Sequence, residues 1–258
     1  MTPGPAPSPY QVAAGPVRSI HRRALIVLVG YAAPLAVLVL AVLLPLLGPA
    51  VAGGAAAAVW LVLVLFYMRS ATRLAVSLVG ASPADPDRYP RLFNLTESLC
   101  VTSGLPKPDL MVVDSERPNS FSVGLAPSSA VVVVTSALAE TFTRLEMEAT
   151  LAHELSHIRR GDTAVASALA AVLWPWSLYA PRTAARLAAF IRGDAESSAD
   201  VAAIGLTRYP PALLSALRRM DAPLSERAPL RSVDLLWNAA PRTGADALGT
   251  RIEALLEL

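Results

Sequence analysis

Five consecutive residues, His153-Glu154-Leu155-Ser156-His157, carry the side chains best suited to chemistry in this chain. On an α-helix, positions i and i+4 lie about 40° apart, at about 100° per residue, so both imidazoles project from one side. Two neutral imidazoles so placed can share one metal ion, and zinc favours such nitrogen ligands. Glu154, next to them around the helix, can take a proton from an attacking water and deliver it to a leaving amine. The bland alternative is a pair of core or surface histidines. The chain has only three histidines and two fall at this spacing, which favours the metal. His21 stands beside Arg22 and Arg23 and reads as a charge-flanking residue.

A catalytic zinc takes three protein ligands and leaves its fourth position to water. The single cysteine, Cys100, cannot build a thiolate site or an internal disulfide, and it reads as a small core residue. No histidine follows His157, so a carboxylate must complete the set. Glu196-Ser-Ser-Ala-Asp200 is the best match, with two carboxylates at i and i+4 on a helix starting near Asp194. Glu196 would ligate the metal, and Asp200 would hydrogen-bond a ligating imidazole from behind. A solvated acidic helix face is the competing reading.

The elements that position these residues are legible. Thr143-Arg-Leu-Glu146 has the form of a capping box, and Gly161 after Arg159-Arg160 suits a helix end. The sequence therefore predicts a helix over 144–160, with Met147, Leu151, Leu155 and Ile158 as its buried stripe. Upstream, the pattern predicts a helix from Pro90 to Ser103 ended by Gly104 and Pro106. Strands are expected at Asp109 to Val113 and Ala130 to Val134, and between them Ser120 to Leu125 is a further candidate.

Composition adds a membrane. Hydrophobic residues make up 54% of the 258 and charged residues only 16%, more apolar than an ordinary soluble domain. Ala24 to Leu47 lacks any charge and can cross a hydrocarbon core of roughly 30 Å, which takes about 20 helical residues. After Gly48-Pro49, Val51 to Met68 forms a second uncharged run, with the turn between spans expected at Gly53-Gly54. The first run is too long for a signal peptide. Arg18, Arg22, Arg23, Arg69 and Arg73 flank the pair, so both ends are expected on the cytoplasmic side. Net charge is +2, which gives no basic field for nucleic acid. The expected organisation is a tail and juxtamembrane segment over 1–23, a transmembrane hairpin over 24–68, and a metal-dependent domain over 69–258.

The chain from about Leu92 onward resembles the HtpX-like family of integral-membrane zinc metalloproteases, which also contains the CAAX prenyl protease. The resemblance is carried by Gly104-Leu-Pro-Lys-Pro-Asp109, Arg117-Pro-Asn-Ser-Phe-Ser-Val-Gly124, Ala130-Val-Val-Val-Val-Thr135, Leu151-Ala-His-Glu-Leu-Ser-His157, Glu196-Ser-Ser-Ala-Asp200 and Arg251-Ile-Glu-Ala-Leu255, in that order. It implies an α+β, mainly α-helical fold: a compact zincin-type domain with a small β-sheet behind the hairpin. It implies one Zn2+ per chain, held by His153, His157 and Glu196, with Glu154 as base. Asn119, Ser120 and Phe121 would lie on the substrate side, and Arg251 would steady the site or the transition state, or be a surface arginine. The partners implied are a protein or peptide substrate and the lipid bilayer, in a bacterial plasma membrane with the catalytic domain cytoplasmic.

Two departures from the family pattern stand out. Relatives often carry a second pair of spans before the third ligand, whereas Glu196 follows His157 by 39 positions (196 − 157). Thr163 to Tyr179 is apolar, but Trp174-Pro175-Trp176 interrupts it, and Arg182, Arg186 and Arg192 follow. This segment is therefore expected to pack on the core or lie in the interface, its tryptophans at headgroup depth. Thr243 to Thr250 also lacks the His-Pro pair common before the Arg-Ile element. The short ligand spacing and Arg159-Arg160-Gly161-Asp162 are similar to those of membrane β-lactam sensor-transducers, so a signalling protease with one dedicated substrate is an alternative. A non-catalytic zinc-binding scaffold is another, and the presence of Glu154 argues against it.

Overall fold

The structure is a computed structural model that describes residues 17–179 and 195–221, with Trp237, Gly249, Arg251, Ile252, Leu255 and Leu256. Expectations for the first sixteen residues and for Arg182, Arg186 and Arg192 lie outside the described residues.

The described residues open with α1 (Val17–Leu78), in which Gly48 alone is non-helical, at φ 76 and ψ 167. Pro49 explains the position. Its ring disfavours the helical conformation for the residue before it, and glycine reaches positive φ at little cost. The break therefore falls at Gly48, and Gly53-Gly54, where a turn was expected, are helical. Within α1, Ala36–Phe66 is long and apolar enough to cross a membrane.

The rest is mainly helical around a small mixed sheet. β1 (Ser82–Pro83) precedes α2 (Pro90–Ser103), which starts on a proline and ends at Gly104 in the left-handed region. Next come β2 (Asp109–Val113), β3 (Ser120–Val123) and β4 (Val131–Thr135). The short α3 (Ser136–Thr141) is capped by the Thr135 hydroxyl. It leads into α4 (Arg144–Arg160), α5 (Asp162–Tyr179), α6 (Ala195–Thr207) and α7 (Pro210–Asp221). Strand order is β1-β2-β4-β3; β2 and β4 run parallel, while β3 pairs antiparallel with β4 at the sheet's edge.

The pleat sorts the sheet's side chains into two layers. Leu110, Val112, Val132 and Val134 face α2, α4 and α7 in the main core. Phe121, Val123, Val131 and Val133 face the other way, against Ala75 and Val79 near the end of α1 and Ala166 of α5. The apolar N-terminal helix is thereby rooted on the back of the sheet. Trp174-Pro175-Trp176 does not end α5, which continues to Tyr179 and packs along α1. The expectation that 163–179 packs on the core holds for its first two turns, where Thr163 to Leu169 are buried.

Gly124 closes β3 at φ 146. A Cβ there would lie 2.7 Å from the Ala130 Cα and 2.9 Å from the Ser129 carbonyl oxygen, so only glycine fits. Its N–H donates to the Ser167 hydroxyl at 2.8 Å, which ties β3 to α5.

The predicted capping box is present: the Thr143 side chain accepts from the Glu146 N–H, and the Glu146 carboxylate accepts from the Thr143 N–H. That carboxylate also receives Ser215 at 2.6 Å and Arg219 at 2.8 Å, so it fastens α7 to the start of α4. Burial alone would raise its pKa. The bonds from Ser215, Thr143 and Arg219 prevail and hold it down at about 2, against an ordinary 4.5. A depressed folded pKa contributes stability above the unfolded value and loses it as pH falls through the folded one. Glu146→Ala should therefore cost on the order of 3 kcal/mol at pH 7. The wild-type advantage should fade between pH 4.5 and about 2, as read from paired thermal melts. Equal melting of the two proteins at pH 7 would refute this.

Candidate metal centre

α4 is buried on nearly every side, because α2, α6, α7 and the sheet all pack against it. That is why its sequence lacks a clean polar face: every residue from Ala149 to Ile158 is buried. His153 is 0% exposed, Glu154 1% and His157 5%, so polar groups sit in the core and require partners.

The rings supply most of the answer. His153 Nε2 and His157 Nε2 face each other at 3.1 Å. Glu196, from the first turn of α6, brings Oε2 to 3.3 Å from the former and 3.7 Å from the latter. One ligand atom from each of the three residues fits within a group whose members all lie within 4.8 Å of one another. α4 supplies two of these residues and α6 the third. Glu196 keeps 23% of its side chain exposed, so the cluster is reachable from outside.

Behind the rings stand two more carboxylates. Asp162 Oδ2 lies 3.1 Å from His157 Nδ1, and Asp200 Oδ1 lies 2.8 Å from His153 Nδ1. The second contact has the right length but poor alignment, since His153 Nδ1 makes no well-directed hydrogen bond. A carboxylate accepts only, so each facing Nδ1 carries the proton and each neutral ring turns a lone pair inward from Nε2. With both rings neutral, two nitrogen lone pairs and a carboxylate oxygen converge with no donor among them. Such a set repels itself unless a cation sits at its centre, and two imidazoles with one carboxylate suit zinc. The titration of the histidines points the same way. Burial would lower both pKa values, yet Asp200 and Glu196 raise that of His153. For His157, Glu196 and Asp162 prevail over burial and lift it to about 9. The cluster attracts positive charge, and a metal is the alternative to protons.

Arg251 completes the surroundings. Its Nε and Nη2 donate to Asp200 at 2.6 and 2.7 Å, and its Nη1 lies 3.4 Å from Glu196. It is 5% exposed, which excludes the surface-arginine reading. Burial pushes the Asp200 carboxyl up, but Arg251 and His153 hold it below its ordinary value.

Of the expected site residues, the structure brings together His153, Glu154, His157, Glu196, Asp200 and Arg251. Ser120 also arrives, with its hydroxyl donating to Glu154 Oε1 at 2.6 Å. Phe121 points to the opposite face of the sheet, edge-on to Trp237 at 4.8 Å between ring centroids. Asn119 lies at the head of β3, its N–H donating to the Thr135 hydroxyl at 2.9 Å. Asp162, which the sequence presents only within Arg159-Arg160-Gly161-Asp162, joins the site as well. The signal was a carboxylate one residue past the Gly161 cap, where the turn carries it back toward His157. Arg160 Nε donates to the same Asp162 oxygen at 3.0 Å.

Comparison with known proteins agrees with this geometry. The model of peptidase family M48 matches residues 86–222, which include both histidines, Glu154, Glu196 and Asp200. A "Protease HtpX homolog" of Tropheryma whipplei (strain Twist) is 31% identical over 204 residues, covering 66% of this chain and 69% of that protein. Another from Acidiphilium cryptum is 33% identical over 178 residues, 58% of this chain and 62% of its own length. One from Thermoanaerobacter pseudethanolicus is 37% identical over 100 residues, 39% of this chain and 33% of its own. No solved structure matches. With a family match across more than half the chain and a His-His-Glu cluster inside it, this protein belongs to peptidase family M48, among its HtpX-like metalloproteases.

Proposed function

We propose that this chain is a membrane-anchored zinc endopeptidase that hydrolyses peptide bonds of membrane or misfolded proteins. The observation that carries the reading is the convergence of His153 Nε2, His157 Nε2 and Glu196 Oε2 beside the buried carboxylate of Glu154. His153, His157 and Glu196 would hold one zinc, which supplies Lewis acidity toward the scissile carbonyl and the attacking water. Glu154 takes a proton from that water and passes it to the departing amine. Asp200 and Asp162 fix the imidazoles in the tautomer that turns Nε2 inward. β3 is an edge strand, so an extended peptide can lie beside Asn119 and Ser120 and pair with the backbone, which is a common mode of peptide capture. The domain over 69–258 adopts a zincin-type arrangement in this reading, with the metal helix beneath that edge.

Several features support the anchor. Val37, Leu46, Val62 and Phe66 on α1 are 62–71% exposed, and apolar surface of this kind on a 31-residue apolar stretch calls for lipid. Ala52 is fully buried and Ala56 is 7% exposed. α5 meets α1 where Ala166 joins Ala75. The described part of α5 after Ala166 (179 − 166, 13 residues) reaches roughly 20 Å back along α1, to about residue 62. In this reading the limb before Gly48 covers Ala52 and Ala56 as their partner in a helical hairpin. Small residues at i and i+4 suit such close packing. Arginines at both ends of the pair support a catalytic domain on the cytoplasmic side of a plasma membrane.

The test is casein cleavage by the detergent-purified chain. Cleavage should stop on chelation and return with added zinc at about one ion per chain. A chain that holds zinc but cuts neither casein nor other unfolded proteins would move the reading toward a single dedicated substrate.

A further inference from the structure

Glu154 is held from outside its own helix. Ser120, the first residue of β3 and fully buried, donates its hydroxyl to Glu154 Oε1 at 2.6 Å. That length lies at the short end for a hydroxyl donating to a carboxylate oxygen. Ser122, two residues along the same face, directs its hydroxyl to the Glu154 backbone carbonyl at 3.4 Å. Ser120 is pinned in turn: its N–H donates to the Asn119 side-chain oxygen at 3.0 Å, and the Thr135 N–H donates to the Asn119 carbonyl at 3.0 Å. The β3–β4 register pairs Ser120 with Val134, so the hydroxyl is delivered by the sheet rather than by a mobile loop.

We propose that Ser120 is a positioning residue for Glu154, tying one carboxylate oxygen to β3 so that the other takes the proton of the attacking water. This rests on the endopeptidase reading above. It gives Ser120 a task different from the substrate contact expected from the sequence, since a fully buried hydroxyl engaged with Glu154 is not offered to a peptide. A glutamate reaches its carboxylate through several rotatable bonds, and an untethered one would spend much of its time misaimed. Misplacement by about 1 Å can cost a reaction roughly 100-fold.

Two readouts on the full-length chain in detergent test this. The first needs no activity: melting of the metal-free wild type, Ser120→Ala, Glu154→Ala and the double variant. Ser120→Ala should lower the melting temperature by roughly 4–8 °C when Glu154 is present and by less than about half of that in the Glu154→Ala background. Equal shifts in both backgrounds would mean that the bond does not exist, and the proposal falls. The second is turnover of an internally quenched peptide by the zinc-loaded protein. Ser120→Ala should lose roughly 10- to 100-fold in kcat, with KM and bound zinc unchanged, and Ser120→Thr should recover most of the loss. An unchanged kcat, or a raised KM at constant kcat, overturns the positioning role, the latter by returning Ser120 to substrate binding. If the wild type holds zinc and cleaves nothing while the thermal coupling is present, the endopeptidase reading fails. The catalytic half of this proposal then falls with it, although the bond itself is real.

Discussion

Glu154→Gln should abolish peptide hydrolysis while leaving the protein folded and its zinc in place. The expected loss is roughly 10²–10⁴-fold in kcat, the usual contribution of a positioned general base. The geometry makes this substitution informative. Glu154 is 1% exposed, and its Oε1 receives the Ser120 hydroxyl at 2.6 Å; the glutamine carbonyl can accept the same bond in the same space. Among the described residues the group that could hold a metal is His153, His157 and Glu196, none of which the substitution replaces. Metal content by mass spectrometry under native conditions should be unchanged, and melting should stay within a few degrees. Activity and zinc lost together would mean that Glu154 helps to hold the ion. Full activity in the variant would remove it from proton transfer, and the endopeptidase reading would need another base. A basal rate that survives chelation would point to a contaminating protease.

The contrast between Glu154 and Phe121 shows how far the sequence carries. The metal helix is written locally: a capping box at Thr143 and Glu146, a left-handed glycine at 161, and two histidines one turn apart. All three features hold because each depends on neighbours within a few residues. The strand at 120–123 is also local, but which of its side chains meets Glu154 depends on the sheet's register and on how α4 crosses beneath it. Ser120 and Phe121 therefore look equivalent in the sequence and face opposite ways in the fold. The break in α1 shows the same limit in another form. Gly48-Pro49 and Gly53-Gly54 both resemble turns, and the choice between them is steric: only the first pairs a glycine free to take positive φ with a proline that disfavours helix before it. Pro34 and Pro45, with no glycine before them, stay within the helix. The contact of Asp162 with His157 is not legible in the sequence, because Asp162 lies beyond the helix end, where the returning backbone rather than the periodicity of α4 sets its direction. Arg251 enters the sequence reading only through the family resemblance, since it reaches Asp200 across 51 positions.

Arg251→Met should lower both zinc affinity and stability, and the stability loss should be larger in the metal-free protein. Glu154, Asp200 and most of Glu196 lie within one water-poor cluster, and Arg251 contacts two of the three, Asp200 at 2.6 and 2.7 Å and Glu196 at 3.4 Å. Removing one partner of a buried ion pair strands the other, at a cost of roughly 3–5 kcal/mol. A bound dication restores part of the missing positive charge, so the zinc-loaded variant should recover part of that loss. Its apparent zinc affinity should still fall roughly 10- to 100-fold, because Asp200 loses the two bonds that hold it behind His153. Arg251→Lys should not rescue, since a lysine ammonium cannot reproduce the two parallel bonds of the guanidinium fork. Because its Nε and Nη2 both donate to Asp200, we expect Arg251 to act as a clamp on the ligand set rather than as an oxyanion donor. That distinction is measurable. A clamp variant supplied with saturating zinc should regain most of its kcat, whereas loss of an oxyanion donor would leave kcat depressed by roughly 10²–10³-fold at any zinc concentration.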